Sequence, residues 1–484
     1  MSIVPAELVA IAPITLLTAL SLIVLVIEAL MKQSEGVSYA VSVVGLVICL
    51  LISLGTIDLT GTAFNQMLTV GGYGSLFSSL FVIAALLTVI LSRDYLQKEH
   101  INFGEFYLLI LFSTLGMMLM AYAADLIIIF LGLELMSICL YVLAGFMRKR
   151  LLSNESALKY FLLGAFATGF LLYGIALIYG SSGTTNISYI VQNFSTLSSS
   201  SWLWMGLGLL LVGFAFKVGA VPFHMWIPDV YQGSPTTVSG FMSTGAKAAA
   251  FAAFVLVFAH PFENAEKLKT VLSLLAAASM ILGNIVAIAQ SNLKRMLAYS
   301  SVAHAGYMLI GLAAANEMGW NGILFYLISY TFMNIGAFGI LSLLEREEEK
   351  NLTYDDYAGL GSKRPFLAAL MSIFMLSLAG IPPFAGFFAK YYIFVAAINA
   401  NLTWLAIIGV LTSVVSVYYY LRLVVMMYFQ EGEMVLVEAT SKASSPKFFE
   451  LRRASMAVLT ISAFALIELG IYPSTILTII NNLR

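Results

Sequence analysis

Long apolar runs recur about fourteen times from one end of this chain to the other, each near the roughly 20 residues that crossing a bilayer requires. They fall near residues 8–31, 37–55, 74–92, 105–121, 125–146, 156–179, 203–227, 237–259, 270–289, 299–315, 321–344, 366–398, 403–429 and 455–480. Hydrophobic residues reach 61% and charged residues only 10%, well under the charge of a soluble domain, so no water-soluble unit fits between the runs. In hydrocarbon every backbone polar group needs an internal partner, and helices provide one. The expected fold is an all-α polytopic membrane protein. The opening run, within MSIVPAELVAIAPITLLTALSLIVLVIEALMK, has no basic region ahead of it and exceeds a signal peptide's core, so it reads as a retained first helix.

Two of the runs differ in kind. The seventh is interrupted at Val221-Pro222-Phe223 and the twelfth at Ile381-Pro382-Pro383-Phe384. Proline removes a backbone donor and clashes with the preceding turn, so both helices are expected to be discontinuous. Lys217 lies just before the first break and Lys390 just after the second. The broken runs stand five apart, and an odd number of crossings reverses direction, so two five-helix units would be inverted repeats. Broken helices at matching places in inverted halves point to a transport site at the membrane midplane. The corresponding division is helices 1–3 over residues 1–100, a first repeat over 101–260, a second over 261–430, and a loop with a last helix over 431–484.

Basic residues sort cleanly by side. With the first loop cytoplasmic, sixteen fall on that side: Lys32, Arg93, Lys98, Arg148, Lys149, Arg150, Lys294, Arg295, Arg346, Lys350, Lys363, Arg364, Lys442, Lys447, Arg452 and Arg453. Only Lys267, Lys269 and Arg484 fall on the other. The positive-inside rule then places both termini outside the cytoplasm, as in a multi-pass protein of a bacterial plasma membrane. Lys294 and Arg295 are read as surface markers.

Ionisable residues inside the runs carry the functional reading, because such groups are rare at membrane depth and mark ion or substrate paths. Lys217 and Lys247 are central in their segments and too deep to reach water easily. Glu134, in DLIIIFLGLELMSICLYVLAGF, has no basic residue within a turn; an unpaired carboxylate in an apolar medium takes up a proton, so pairing with a lysine would make a switch. Lys390 is similar in kind. Lys159 follows Glu155 by four residues near a helix end, which suits a surface pair as well as a relay. His224 follows the first break and His304 sits in the tenth run; histidine suits a proton relay, whereas a haem held between them has no supporting pattern. Glu28 and Arg422, near helix ends, read as structural, and Glu468 stays unassigned.

No nucleotide-binding glycine motif, HExxH or CxxC occurs, and Cys49 and Cys139 sit in apolar segments without ligand spacing. The energy for transport is therefore expected from an ion gradient or a partner.

The runs VPFHMWIPDVYQGSPTTVSGFMSTGAKAAAF, LSLAGIPPFAGFFAKYYIF and ESALKYFLLGAFATGFLLYGIALIYG resemble the antiporter-like subunits N of proton-pumping NADH-quinone oxidoreductase, respiratory complex I. The likeness extends over nearly the whole chain, and DVYQGSP in particular is more similar to N than to the paralogous M and L subunits. The resemblance implies fourteen helices, with helices four to eight and nine to thirteen as inverted repeats. It implies Glu134 and Lys217 as an ion-pair switch, Lys247 as the central relay and Lys390 as the lysine near the outlet, with Lys159, His224 and His304 along the same polar axis. It also implies that flavin, iron-sulfur clusters and quinone belong to partner subunits and that this chain holds no cofactor or metal. Homologous antiporter-like subunits, small helical subunits and lipids would surround it, with the peripheral redox arm contacted only indirectly and no nucleic acid. The alternative is an independent cation/proton antiporter subunit.

Overall fold

A computed structural model describes residues 5–258, 265–345, 352–431 and 446–482. Arg346, Lys350, Lys442 and Arg484, sorted by side above, lie outside these residues, as do the side chains of Lys447 and Arg452. Among the described residues, thirteen helices are long and apolar enough to cross a membrane. The fourteenth expected crossing is the broken twelfth run, which forms two shorter apolar helices, Pro365–Ala379 and Ala385–Asn399.

In chain order the helices are α1 (Ala12–Leu30), α2 (Glu35–Gly55), α3 (Gly72–Lys98), α4 (Glu105–Tyr122), α5 (Leu126–Ala144), α6 (Leu151–Ser182), α7 (Ser201–Val218) and α8 (Trp226–Gly233). After them come α9 (Thr236–Phe258), α10 (Glu266–Ile288), α11 (Leu293–Ala314), α12 (Glu317–Leu344), α13 (Pro365–Ala379), α14 (Ala385–Asn399), α15 (Thr403–Phe429) and α16 (Pro446–Ile471). α9 and α11 are buried almost all round, whereas α1, α2 and α15 leave apolar faces exposed, as helices that border lipid do. With lipid as apolar as leucine, close helix contact depends on small residues. At Gly116 of α4 and Gly132 of α5 an added Cβ would strike the opposing backbone, and Gly174 of α6 and Gly206 of α7 meet in the same way.

One departure from an all-helical chain is a small antiparallel hairpin, β1 (Thr60–Ala63) and β2 (Leu68–Gly71), with Thr60 opposite Gly71. Its turn places Phe64, Asn65 and Gln66 at positive φ.

Both expected breaks are present, and both are made the same way. α7 ends at Val218 and α13 at Ala379, each followed by a glycine in the left-handed region, Gly219 at φ 78° and Gly380 at φ 84°. The Ala220 N–H donates to the Ala215 carbonyl at 2.8 Å and the Ile381 N–H to the Leu376 carbonyl at 3.0 Å, the six-to-one bond of a Schellman stop. The prolines lie just beyond, each in a cis peptide bond: Val221-Pro222 and Pro382-Pro383.

A buried row of lysines, hydroxyls and one histidine

Lys217, Lys247 and Lys390 are buried at 6%, 2% and 4% exposure, each on a different helix. Lys217, one residue before the end of α7, donates to Ser137 Oγ at 2.7 Å and lies 3.4 Å from Tyr141 Oη, both on α5. The rings of Tyr141 and Tyr160 flank its ammonium at 5.4 and 5.7 Å. The expected ion pair with Glu134 is not closed: among the described residues no salt bridge joins them, and Glu134 Oε1 is buried without a hydrogen-bond partner. The carboxylate still lies near enough to act electrostatically on Lys217. Ser137 stands one turn after Glu134, and residues three apart share a helix face. The hydroxyl takes the position in which the carboxylate was expected.

Lys247 opens the straight part of α9 directly after a π turn over Met242–Ala246. Such turns add a residue to the helix and recur at functional sites. The lysine donates to the Ser301 carbonyl at 2.6 Å and to the Ser301 hydroxyl, with the Tyr330 ring 5.9 Å from its nitrogen. One turn along α11 from Ser301, His304 is 2% exposed. Its Nδ1 meets Tyr326 Oη at 2.7 Å and its Nε2 meets Tyr420 Oη at 3.1 Å, while Tyr420 also bonds Ser300. His304 lies within electrostatic reach of both Lys247 and Lys390.

Lys390, one turn into α14, donates back across the break to the carbonyls of Ala379 at 2.9 Å and Leu378 at 3.2 Å, and to Ser413 Oγ at 2.8 Å. The last carbonyls of a helix lack intrahelical partners and carry its negative dipole end, so the end of α13 holds the ammonium in place of a carboxylate. The Tyr307 ring lies 5.0 Å from Lys390 Nζ, and Tyr307 Oη accepts from Asn284 Nδ2 at 3.1 Å. From Lys247 to Lys390 the links are ring faces: Tyr330 lies 5.9 Å from Lys247 Nζ and 5.0 Å from the His304 ring, and Tyr307 lies 5.8 Å from the His304 ring and 5.0 Å from Lys390 Nζ. Between Lys217 and Lys247 the links are aromatic: Tyr141 against Tyr160 at 4.7 Å, Tyr160 stacked on Trp226 at 4.6 Å, and Trp226 against Tyr231 at 6.2 Å.

Two candidates, and one lysine read as a surface marker, lie off this row. Lys159 is half-exposed and bridges Glu155 and Asp229, both at 2.6 Å, while Arg295 holds the other Asp229 oxygen at 2.8 Å. The surface-pair reading of Lys159 fits that network. His224 sits in the first break, half-buried, with its Nδ1 unpartnered. Lys294 corrects its assignment as a surface marker: it is fully buried and donates to the Ser234 carbonyl at 2.7 Å. A lysine at the end of an apolar run reads as a surface residue, and only the fold brings that carbonyl to it. Glu28 is structural as expected, accepting from Ser34 at 2.7 Å and from Ser38.

Ser137, Ser301, Asn284, Tyr307, Tyr326 and Tyr420 were not singled out in the sequence. Asn284, the lone amide in an apolar run, and the Ser300-Ser301 pair one turn before His304 were the available signals. Among the described residues no group of three or more His, Cys, Asp and Glu side chains is placed to hold a metal.

The sequence profile described as NADH:quinone oxidoreductase/Mrp antiporter, TM, matches residues 123–416. The chain is 48% identical over 472 residues to the NADH-quinone oxidoreductase subunit N of Trichlorobacter lovleyi, covering 96% of this chain and 95% of that one. It is 44% identical over 468 residues to subunit N 1 of Chloroherpeton thalassium, covering 96% of each. Among solved structures it superposes on a chain of respiratory complex I from Thermus thermophilus with bound aureothin, with a TM-score of 0.81 at 34% identity, covering 96% of this chain and 98% of that one. A chain of the Mrp complex from Dietzia sp. shares the fold, with a TM-score of 0.85 at 20% identity over 99% of this chain and 97% of that one.

Proposed function

The chain belongs to the NADH:quinone oxidoreductase/Mrp antiporter family, among the NADH-quinone oxidoreductase subunits N, and on that premise we propose that its buried lysine row conducts protons across the membrane, driven by quinone reduction in other subunits. The observation that carries this reading is the row Lys247, His304 and Lys390, three buried titratable groups spaced by the Tyr330 and Tyr307 rings with no carboxylate bonded to any of them. An ammonium held only by hydroxyls, carbonyls and ring faces is not locked in its charged form, so it can release its proton. A permanent structural charge would be expected to have an ionic partner.

Lys247 is the central relay in this reading, His304 passes protons between it and Lys390, and Lys390 stands on the outlet side. Glu134 and Lys217 form the switch. The arrangement, with Lys217 on Ser137 and Glu134 Oε1 unpartnered, corresponds to the open pair in this reading; the closed pair would bring the carboxylate to the ammonium in place of the hydroxyl one turn along α5. The Coulomb energy of a close pair is about 4 kcal/mol at about 4 Å in an effective dielectric near 20. Moving a charge through the membrane potential takes about 2.3 kcal/mol per 100 mV. The two are comparable, so opening and closing the pair is enough to gate a proton step.

The division into residues 1–100, 101–260, 261–430 and 431–484 fits this reading, with α4 to α9 and α10 to α15 as inverted halves. Its support is that α7 and α13 stop by the same Gly-led motif, three residues before a proline in each case. Lys98, Arg150 and Arg295 gather at one end and Lys267 lies against Trp204 at the other, which supports a bacterial plasma-membrane protein with both termini outside the cytoplasm. Flavin, iron-sulfur clusters and quinone would reside in partner subunits, and the neighbours would be homologous antiporter-like and small helical subunits.

Two measurements test the proposal. An oxidoreductase subunit copurifies with flavin and iron-sulfur proteins, whereas an independent cation/proton antiporter does not. Within the assembled complex, Glu134→Gln is expected to lower proton pumping by about a hundredfold or more, as loss of one positioned proton-transfer group does, and Glu134→Asp to lower it less. Equal pumping by both variants and the unmodified chain would reject the switch.

A further inference from the structure

Glu345 stands where α12 ends, and the row described above does not use it. The residue is 2% exposed. Its Oε2 accepts a hydrogen bond from Thr236 Oγ1 at 2.5 Å, and its Oε1, without a hydrogen-bond donor, lies 3.7 Å from Arg150 Nη1. Arg150 also grips Glu99 at 2.5 Å, and Lys98 Nζ donates to the backbone carbonyls of Ser342 and Glu345, both at 2.7 Å. Tyr95 and Tyr357 complete the charged and titratable surroundings of the carboxyl. Arg150 and Glu99 in turn line a cavity of about 540 Å³ whose other polar walls are His100, Glu105, Arg148 and Lys149. The arginine that faces this buried acid thus also lines an open cavity whose largely apolar wall carries these polar groups.

Inward from Glu345, helices α9 and α12 run antiparallel in a fixed register. Thr236 meets Glu345, Gly240 faces Phe338, and Lys247 lies over Tyr330. Between the last two contacts lie the buried hydroxyls Ser243 and Thr244 on α9 and the buried amide Asn334 on α12. Glu345, Phe338, Asn334 and Tyr330 recur at about helical spacing and share one face of α12. Asn334 is fully buried with its Oδ1 unpartnered. An unpartnered acceptor inside a protein is where a bridging water finds its hydrogen bonds. The seam from Thr236 to Lys247 spans eleven residues, about 16 Å of helix.

Resting on the proton-conducting reading above, we infer that Glu345 is the loading group through which cytoplasmic water supplies protons to Lys247, with Arg150 as the gate between it and the cavity. The ionised Glu345 carboxylate takes a proton from hydronium in the cavity, leaving water. The proton passes by water along the α9–α12 seam to the neutral Lys247 amine, which becomes ammonium while Glu345 returns to carboxylate. Arg150, held between Glu99 and Glu345, attracts the carboxylate when it is charged and releases it when it is neutral. Charge on Glu345 and the opening of the gate are therefore linked.

The test uses the assembled oxidoreductase in inside-out vesicles, reading NADH-driven acidification, NADH:quinone reductase activity with an uncoupler, and the amount of intact complex. Glu345→Gln is expected to lower acidification by about a hundredfold or more, the low end of what losing a positioned proton-transfer group costs, with the complex intact; Glu345→Asp restores most of it. A merely structural role would predict no advantage of Asp over Gln in acidification per assembled complex. Should Glu345→Gln fail to assemble, Asn334→Leu decides, since it leaves the Arg150 cluster untouched and removes the polar group midway along the seam: lowered acidification upholds the inlet and unchanged acidification overturns it. Lys247→Ala runs in parallel. Acidification that survives Glu345→Gln but not Lys247→Ala overturns the inlet alone; acidification that survives both overturns the proton-conducting reading itself.

Discussion

Lys247→Ala is expected to abolish NADH-driven acidification of inverted vesicles while the complex still assembles. The loss is expected because Lys247 is the titratable group between the α9–α12 seam and His304, bonded to Ser301 and separated from the His304 ring by Tyr330. Assembly is expected to survive because the lysine has no ionic partner among the described residues, so its removal leaves no opposite charge stranded. A lone charge at the centre of a membrane helix costs about 2.5–3.5 kcal/mol, and alanine removes that cost while leaving a cavity that partly offsets the gain. Dye-reported acidification, normalised to the amount of intact complex, checks the outcome. Wild-type acidification in the variant would remove Lys247 from the path.

The second large effect is on folding rather than transport. Gly386→Val is expected to reduce the amount of assembled complex by about tenfold or more, because a Cβ at 386 would land on the carbonyl oxygen of Ser377 across the second break. Backbone cannot yield as a side-chain tip can, and overpacking of this kind costs about 1–3 kcal/mol. The contact also positions Lys390 one turn further on, whose ammonium needs the carbonyls of Leu378 and Ala379 at the end of α13. Gly169→Val on α6 is the matching control: a Cβ there meets nothing within 4 Å, and assembly should stay near normal. Complex content on a native gel distinguishes the two, and equal content would show that the halves of the broken helix do not depend on this contact.

How much of this was legible beforehand follows from which interactions are local. Apolar length alone located the thirteen long apolar helices among the described residues, and Pro222 and Pro382-Pro383 located both breaks. The stops themselves are made by Gly219 and Gly380, a helix-end signal that was present in the sequence and passed over in favour of the prolines. Lys217, Lys247 and Lys390 stood out as charges in apolar runs and are all buried as expected. Their partners were not legible. The choice of Ser137 over Glu134 turns on side-chain geometry within one helix turn, and Ser301, Tyr420 and the carbonyls of α13 come from segments distant in sequence. Burial of Lys294 and Glu345 was hidden for the same reason, since a charge at the edge of an apolar run ordinarily lies at the surface. The hairpin at residues 60–71 was missed because an eight-residue pair of short strands makes little impression between helices three times as long.

The most direct measurement is the number of protons translocated per electron by the purified complex in sealed vesicles, with Lys217 and Lys247 replaced in turn by alanine. If buried lysines in this chain move protons, the ratio falls in both variants relative to the unmodified complex while electrons still reach quinone. An unchanged ratio in both, with the substitutions confirmed in the assembled complex, would contradict it.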